Sequence, residues 1–554
     1  MFRFWLSIFV LWFCTPTVWA ADAGIQNIIR DRIESGGLPL KLSIAGEPIY
    51  AAAVLPRFYE RRAYLPAWSN NGRPSARAAE LDRSIRNAAA DGLRPADYHL
   101  AKITKLREDL NDRDTGSASM DDQLLADLDI LQTDAYLILG AHMLAGRIDP
   151  EHLDPMWKAQ RRNMDLAVHL EEALRSDRVG ESLADLLPRH SGYDRLKKAL
   201  AKYRQIEAAG GWRAFPGGTR LQQGDRESRT VLLRNRLAAE GFMEDSAKTA
   251  DPEFFDNDLA DALKRFQIST GLEADGVVGP QTRRALNLTV QQRIRQIIVN
   301  MERWRWLPQD LGSRYLLVNI AAFSLTVVEE GRTVMQMRVV TGRPYRSTPI
   351  FSARITYLVF NPYWNVPSTI AIKDILPKIK NDPDFLNKQK IRVLQGWNVG
   401  AREIDPASVN WQTVSIRNFP YHFRQDPGPQ NALGRIKFMF PNPYEVYLHD
   451  TPSKELFAKA RRDFSSGCIR IEKPLELAEY LLRRHPNWPP EKIRNAVSGP
   501  DTAEITVKLP EPLTIYLLYW TIWVDEQGLL HFGTDIYNRD QALDAALQQP
   551  PPAN

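Results

Sequence analysis

Cysteine is nearly absent from this chain: the 554 residues contain two, Cys14 and Cys468. Cys14 lies in an apolar N-terminal stretch, so the rest of the chain holds a single thiol. One thiol has no intramolecular partner, which excludes the disulfide framework that stabilises many small exported proteins. Cys468 therefore needs another explanation.

Long apolar runs are scarce as well. The N-terminal sequence MFRFWLSIFVLWFCTPTVWA has a basic residue, Arg3, an apolar run from Phe4 to Phe13, and a small residue at Ala20. This pattern predicts a signal peptide over residues 1–20, cleaved after Ala20, because the run is shorter than the ~20 apolar residues that span a bilayer. We expect a periplasmic protein with no stable membrane span after cleavage; an uncleaved N-terminal anchor is the alternative.

Neither sign of charge dominates the sequence. The 72 basic residues are interleaved with 67 acidic ones, which gives a net charge of +5 and a pI near 8.9. Nucleic-acid-binding proteins usually carry a concentrated basic patch or tail. We therefore expect no nucleic-acid partner.

Several catalytic motifs are missing. The chain has no HExxH and no GxSxG, and no serine is followed three positions later by lysine. These absences exclude zincin metalloproteases, α/β-hydrolases and the Ser-x-x-Lys penicillin-binding transpeptidases. Clustered His and Asp ligands of the zinc peptidases are missing too. We expect no metal and no cofactor.

Residues 21–220 have the spacing of helices. In DDQLLADLDILQTDAYLILGAHMLAG, apolar residues recur every three or four positions. Asp121 or Asp122 is predicted to cap this helix, and Gly146 is predicted to end it. No catalytic spacing occurs here, so the region is interpreted as a helical scaffold domain.

Residues 224–288 predict a compact module of three helices with a tight turn at Gly276 and Gly279. The segment resembles a peptidoglycan-binding domain, which implies that peptidoglycan binds between its helices. The alternative is that its apolar motif residues are core and its glycines form turns, with no ligand bound. The resemblance rests on Phe266, Gln267, Gly271, Leu272, Asp275 to Gly279, Thr282 and Leu286.

Strand patterns dominate residues 314–497, with EEGR as a hairpin turn. The pattern lapses over about 370–421, an insertion that is either a disordered loop or a cap over a site. Residues 498–554 are predicted as a C-terminal strand and helix extension, with LTIYLLYWTIWV as a buried strand. The apolar residues of the insertion favour a cap: Leu376, Ile379, Leu394, Trp397 and Trp411.

The candidate site lies in YEVYLHD and SSGCIRIEKP. His449 ends a strand, and Cys468 follows nineteen residues later in a turn before a helix that Pro474 is predicted to open. A thiol is a good nucleophile only as thiolate, so it needs a base or a positive charge nearby. His449 and Arg470 are candidates for these roles, and the amides of Gly467 and Cys468 are candidate oxyanion donors.

These segments resemble a known family. HD followed by SSGCIR resembles the signature of the YkuD-type L,D-transpeptidases, and NMERWRWLP, NPYWNVP, PGPQNALGRIKFMFPN and HDTPSKELF resemble its large, three-part periplasmic branch, the YcbB-like enzymes. The resemblance covers nearly all of the mature chain. It implies an α+β multidomain protein: a helical scaffold, a three-helix peptidoglycan-binding module and a β-rich catalytic domain with an inserted cap.

The resemblance also implies roles for individual residues. Cys468 is the implied nucleophile, His449 the general base and acid, and Arg470 a positioning residue. Asp450 stands where many smaller members have glycine. The implied turn and pocket residues are Ser466, Gly467, Tyr447, Trp364 and Asp450.

The implied reaction forms 3-3 cross-links through a thioester between the cysteine and a tetrapeptide stem, with a role in wall biogenesis, remodelling and cell shape. Carbapenems are implied to acylate Cys468. The expected partners are stem peptides and glycan, with wall synthases or endopeptidases as further candidates. Two alternatives remain: a non-catalytic wall-binding protein, and a transpeptidase that attaches a protein to the wall.

Overall fold

A computed structural model describes residues 20–37, 42–112, 118–155, 157–158, 161–244, 250–396, 400–498 and 503–551. The predicted signal peptide, apart from Ala20, lies outside the described residues, as do Cys14 and Trp397. No helix in the described part is long and apolar enough to cross a membrane. The predicted α+β class with a helical region, a small module and a β-rich domain is confirmed.

In the described residues, the N-terminal region forms nine helices. The long central helix starts before the two predicted aspartate caps and ends just before Gly146, whose φ of 81° stops it as predicted. The helices are α1 (Ala20–Ser35), α2 (Leu55–Arg61), α3 (Ala76–Asn87), α4 (Leu100–Asn111), α5 (Ala118–Ala145), α6 (Pro150–Leu153), α7 (Leu166–Ser176), α8 (Val179–Ala184) and α9 (Ser191–Ala208). Of these, α1 to α5, α7 and α8 supply one apolar core, and α9 packs in the core of the β-rich domain.

Five short strands accompany these helices. Two antiparallel pairs lie within the helical region, and the fifth strand joins the large sheet described below. They are β1 (Ser43–Ile44), β2 (Glu47–Pro48), β3 (Ser69–Asn70), β4 (Arg73–Pro74) and β5 (Trp157–Lys158).

The small module contains α10 (Ser228–Glu240), α11 (Asn257–Ser269) and α12 (Pro280–Leu286) around its own core. Gln267 is buried and holds the turn before α12. Its amide nitrogen donates to Asp275 Oδ1 at 2.7 Å and to Thr282 Oγ1 at 3.2 Å, and its oxygen accepts from the Gly276 amide at 2.8 Å. The motif residues thus have a structural task, and ligand binding by the module stays a prediction.

The linking helix α13 (Val290–Arg305) joins the scaffold to the β-rich domain. Its Thr289 cap and Gln292 form a reciprocal capping box. On the sheet side, Asn300 Nδ2 donates to Thr521 Oγ1 at 2.9 Å, and on the scaffold side Glu302 accepts from the Ile148 amide at 2.8 Å. These buried contacts connect the scaffold, the helix and the C-terminal segment.

The β-rich domain begins with four strands and ends with strands and helices that alternate. The EEGR turn is confirmed, since Glu330 and Gly331 both have positive φ between antiparallel strands. The elements outside the insertion are β6 (Arg314–Asn319), β7 (Ser324–Glu329), β8 (Arg332–Gly342), β9 (Ile350–Phe360), β14 (Ile436–Met439), β15 (Leu448–His449), β16 (Asp463–Ser465), β17 (Ile469–Ile471), α17 (Pro474–Leu482), α18 (Pro490–Ser498), β18 (Ile505–Leu518), β19 (Ile522–Val524), β20 (Leu530–Phe532) and α19 (Arg539–Gln548).

Eight of these strands form a closed circuit of pairings. The order is β14, β15, β17, β8, β7, β6, β18 and β9, and β9 pairs with β14 again. The pairs β15–β17 and β6–β18 are parallel, and the other six are antiparallel. Apolar residues on one face of these strands form the main core with α9 and α13.

The C-terminal segment, which the sequence predicts as an extension, is part of the catalytic sheet. β18 lies between β6 and β9 in the middle of the catalytic sheet, and it begins well before LTIYLLYWTIWV. That apolar run is divided between β18 and β19, because Trp520 and Thr521 leave the ladder to meet Asn319 and α13. The described part of this segment, residues 503–551, therefore contributes a central strand to the β-rich domain.

The insertion is a folded subdomain, here called the cap. A four-stranded sheet in the order β10, β13, β11, β12 packs with short helices around its own core, in which Trp411 and Ile379 are buried. A π-helical stretch, Ala371–Ile375, lies between the first two helices. The cap elements are β10 (Trp364–Asn365), α14 (Ser368–Ile370), α15 (Leu376–Asn381), α16 (Phe385–Lys388), β11 (Ile391–Gln395), β12 (Arg402–Ile404) and β13 (Tyr421–Gln425).

Candidate active site

The strands β15 and β17 bring the thiol and the imidazole together. Their parallel register pairs Leu448 with Ile469 and His449 with Arg470, and the Ile469 amide donates to the Tyr447 carbonyl at 3.1 Å. Leu448 and Ile469 point into the core. Because side chains alternate along a strand, the opposite face carries the candidate residues: Tyr447, His449, Cys468 and Arg470.

The turn before Cys468 has a conformation that requires glycine. Gly467 has a φ of 117°, and its carbonyl accepts a hydrogen bond from Thr348 Oγ1 at 2.8 Å. Ser465 Oγ donates to the Cys468 carbonyl at 2.5 Å and accepts from the Gly467 amide at 3.2 Å. The Cys468 amide makes no hydrogen bond to any residue that the structure describes, so it is the better candidate oxyanion donor.

Ser466 is exposed at the outer edge of this turn. Its Oγ accepts a hydrogen bond from Arg346 Nη1 at 2.8 Å, and Arg346 also forms an ion pair with Asp374 of the cap. Arg346, which lies between β8 and β9, therefore links the cap to the turn that carries Cys468.

The imidazole of His449 is buried and held by the backbone. Its Nδ1 donates to the Asp450 carbonyl at 2.5 Å, because a carbonyl oxygen only accepts. This contact favours the tautomer that is protonated on Nδ1, in which the lone pair of Nε2 is the basic site. Burial first and the Arg470 charge second lower the pKa of His449 to about 3, against the opposing effect of backbone carbonyls. The ring is neutral at pH 7.

The thiol of Cys468 is half-buried and protonated in the resting site. Burial raises the pKa of Cys468 above its ordinary value, while hydrogen bonds from Tyr447 and the charges of Lys437 and Arg470 oppose this rise. Its Sγ lies 3.8 Å from the Glu445 carbonyl. A neutral thiol beside a neutral imidazole suits proton transfer at the moment of attack.

Two cations face this site without counter-ions. Arg470 forms no ion pair with any described residue, and its Nε is buried without a hydrogen-bond acceptor. Lys437 of β14 pairs with His449, and its Nζ lies 3.9 Å from the centroid of the Tyr447 ring. The pocket is therefore positive and suited to an anion.

Two predicted pocket residues have other contacts. Asp450 is buried, and its carboxylate accepts from the Arg435 amide at 2.8 Å, the Thr451 amide at 2.7 Å and Lys454 Nζ at 2.6 Å. These contacts hold the loop after His449, which favours a structural role over substrate contact. Its substrate role remains a prediction.

Trp364 is half-buried in β10 and packs against the cap core. In the described part of the chain, no hydrogen bond or ring contact links it to the thiol or the imidazole. Its predicted pocket role therefore depends on the resemblance.

Sequence reasoning missed residues that support the catalytic turn. Tyr537, from the C-terminal segment, donates to the Gly342 carbonyl at 2.7 Å and accepts from the Thr348 amide at 3.1 Å. Thr348 in turn binds the Gly467 carbonyl. No local motif marks these residues. The sequence GRIKFMF does indicate the position of Lys437. Because side chains alternate along a strand, Lys437 lies on the face away from the core that contains Ile436 and Phe438.

Gly467→Ala is expected to lower the rate of Cys468 acylation while the fold persists. A side chain at a φ of 117° is strained by ~1–3 kcal/mol, so the turn must shift. Intact-protein mass spectrometry with a carbapenem measures the rate, and thermal unfolding reports the fold. Gly331→Asn in the β7–β8 turn is the control, since asparagine tolerates its φ of 72°. Equal rates in wild type and Gly467→Ala would contradict the prediction.

Three family models match parts of this chain. Residues 313–496 match YkuD, the L,D-transpeptidase catalytic domain; residues 226–286 match a putative peptidoglycan binding domain; and residues 53–200 match a scaffold domain. The catalytic match includes every candidate site residue named above, from Trp364 to Arg470.

A curated relative is named putative L,D-transpeptidase, from Haemophilus influenzae. It is 32% identical over 251 residues, which are 45% of this chain and 49% of the relative. The chain thus spans about half the length of the curated relative it matches.

Solved L,D-transpeptidases are more distant. One from Stackebrandtia nassauensis is 13% identical, with 54% of this chain and 97% of that chain covered and a TM-score of 0.21. One from Mycobacterium smegmatis is 14% identical, with 37% and 58% covered and a TM-score of 0.18. Because both TM-scores are low, no argument rests on these two structures.

The YkuD match, the putative L,D-transpeptidase relative and the cysteine and histidine on one sheet face point the same way. Three regions of the chain are thus similar to known domains: residues 53–200 to a scaffold domain, residues 226–286 to a putative peptidoglycan binding domain, and residues 313–496 to the YkuD L,D-transpeptidase catalytic domain.

Proposed function

We propose that this protein is a periplasmic peptidoglycan L,D-transpeptidase that forms 3-3 cross-links and so acts in wall biogenesis and remodelling. The observation that carries the proposal is the parallel register of β15 and β17, which places Cys468 and His449 on one face within the domain that matches YkuD. The match of residues 226–286 to a peptidoglycan-binding domain supports the choice of substrate.

The first half-reaction acylates the thiol. His449 Nε2 takes the proton of Cys468, and the sulfur attacks the carbonyl carbon of the third stem residue. The Cys468 amide donates to the developing oxyanion, which lowers the barrier because the donor is already in place. The bond to D-Ala then breaks, and the proton on His449 goes to the departing amine.

The second half-reaction reverses these roles. The side-chain amine of diaminopimelate in a neighbouring stem attacks the thioester, gives a proton to His449 and forms the new amide bond. The Cys468 thiolate leaves and recovers its proton from His449. The positive charges of Arg470 and Lys437 suit the carboxylates that stem peptides carry.

Muropeptide analysis tests this function. Mass spectrometry of walls from cells that express wild type or Cys468→Ala should show 3-3 cross-links only with wild type. Equal cross-link content would favour the non-catalytic wall-binding alternative. Incubation of the purified protein with a defined tetrapeptide and separate amine acceptors identifies the acceptor.

The cap is proposed to cover the Cys468 pocket and exclude water from the thioester. Asp374 of the cap binds Arg346, which binds Ser466 beside the nucleophile. Water is the competitor that hydrolyses the thioester before an amine arrives, and lids commonly exclude it.

Asp374→Asn is expected to raise hydrolysis relative to transfer about fivefold, the equivalent of ~1 kcal/mol for a partly exposed ion pair. Product ratios with a defined tetrapeptide and an amine acceptor measure the effect. Asp382→Asn, which removes an exposed cap ion pair with Lys388, is the matched control. An unchanged product ratio together with unchanged substrate affinity would refute the cap's role.

A further inference from the structure

The side chain of Lys437 lies on the catalytic face of the sheet. Lys437 is in β14, and its neighbours Ile436 and Phe438 belong to the core, so its own side chain points the other way. The register pairs it with His449 on β15. Its Nζ lies over the ring of Tyr447, 3.9 Å from the centroid.

The ammonium group of Lys437 has no counter-ion. It forms neither an ion pair nor a hydrogen bond with the residues that the structure describes, although Lys437 is half-buried. Burial accordingly lowers the pKa of Lys437. An unpaired cation in such a place is costly, so buried ammonium groups are normally paired with an anion.

The groups around Lys437 identify the anion. Tyr447 and His449 are neutral at pH 7, because burial raises the pKa of the phenol and lowers that of the imidazole. The carboxylates of Glu445 and Glu504 belong to exposed residues, and Glu504 accepts from the Tyr363 amide at 2.8 Å. The remaining charged and titratable neighbours are Cys468, in the turn before β17, and Arg470 on β17.

The thiol is linked to Lys437 through Tyr447. The Tyr447 ring contacts the Lys437 ammonium, and the Tyr447 carbonyl accepts a hydrogen bond from the amide of Ile469, the residue after Cys468. The charges of Lys437 and Arg470 both oppose the rise in the pKa of Cys468 that burial causes.

We propose that Lys437 is a positioning residue that supplies the counter-charge for the Cys468 thiolate, through space and through the Tyr447 ring. The proton of Cys468 still passes to His449, and Lys437 keeps all of its own protons throughout. The inference rests on the proposed function only in taking Cys468 as the nucleophile.

Alkylation of Cys468 by iodoacetamide tests the proposal without any peptidoglycan substrate. The reagent is neutral and reports the thiolate fraction, so its rate against pH gives the apparent pKa of the thiol. In the mature full chain, Lys437→Met should raise that pKa by about one unit and slow alkylation at pH 7.5 about tenfold, since one pKa unit is a factor of ten in thiolate. Lys437→Arg, which keeps the charge, should stay within about threefold of wild type.

Lys508→Met is the control, because Lys508 is exposed on β18 of the same sheet. Thermal unfolding precedes each measurement, and Lys437→Gln replaces Lys437→Met if the latter is unfolded. An unchanged alkylation profile in the uncharged variant overturns the proposal, and a loss of transpeptidation in that variant would then assign the lysine to a substrate carboxylate. A shifted profile in a protein that forms no thioester with tetrapeptide refutes the proposed function and leaves the role of Lys437 intact.

Discussion

Cys468→Ser is expected to abolish the acyl-enzyme while the fold persists. An alcohol is far less ionised than a thiol near neutral pH, and the site raises even the pKa of the thiol, so a serine oxygen would stay protonated. The replacement is nearly isosteric in a half-buried position, so its cost in stability is small. The expected result is a loss of acylation of at least about a thousandfold, the scale seen when a nucleophile is removed.

Intact-protein mass spectrometry measures this effect directly. Wild type incubated with a tetrapeptide or a carbapenem should gain the mass of one acyl group, and Cys468→Ser should gain none. Ser465→Ala is an informative comparison, because it removes a hydroxyl three residues away that holds the turn, but leaves the thiol. Substantial turnover by Cys468→Ser would mean that the nucleophile has been assigned wrongly.

The sequence contained the elements of the site but not their register. Cys468 and His449 were identifiable because each lies in a short motif with its own chemistry. Arg470 follows Cys468 by two positions, which places it on the same strand face without knowledge of the fold. The pairing of β15 with β17 is what brings these residues onto one face of the sheet, and it is seen only in the structure.

Lys437 and Tyr537 show what local patterns leave out. Lys437 reaches the site through β14, which lies beside β15 in the sheet, and Tyr537 reaches the catalytic turn from the C-terminal segment. Their roles depend on which strands are neighbours, a property set by packing of the whole domain. For the same reason the sequence pattern predicts β18 as part of a C-terminal extension, although this strand lies in the middle of the sheet.

The cap illustrates a different limit of prediction from sequence. Its weak strand pattern left open a disordered loop or a folded cover, and the apolar residues favoured the second. The structure contains a sheet of four short strands, which pair across up to 61 positions, as Trp364 does with Gln425. Strands of two to five residues carry too little periodicity for sequence patterns to identify.

His449→Gln is expected to slow acylation by about 10²–10⁴-fold, the usual contribution of a positioned general base. Glutamine preserves a donor for the Asp450 carbonyl, but it has no basic nitrogen to take the proton of Cys468. Binding of a non-reacting stem peptide should change little, so the loss should appear in kcat rather than in affinity.

The pH dependence distinguishes a neutral His449 base from the alternative, in which the resting site holds a protonated His449 paired with a Cys468 thiolate. The pKa of His449 is about 3, so the ring stays neutral from pH 5 to 8 and its protonation produces no inflection near pH 6.5. The pKa of Cys468 is raised, so the rate of alkylation of the free enzyme should climb about tenfold per pH unit through pH 8. A plateau that begins near pH 6.5 would contradict this assignment.

The lowered pKa of His449 also makes the stability of the fold depend on pH. A histidine whose pKa is depressed by folding binds protons more readily in the unfolded chain, so it stabilises the fold above the unfolded pKa of ~6.5, and this contribution is lost as the pH falls from there towards 3. His449→Gln removes this dependence. Its stability should therefore fall less steeply than that of wild type between pH 6.5 and 4 in urea unfolding. Parallel curves for the two proteins would mean that the folded ring titrates as an ordinary histidine, and the neutral general base would have to be abandoned.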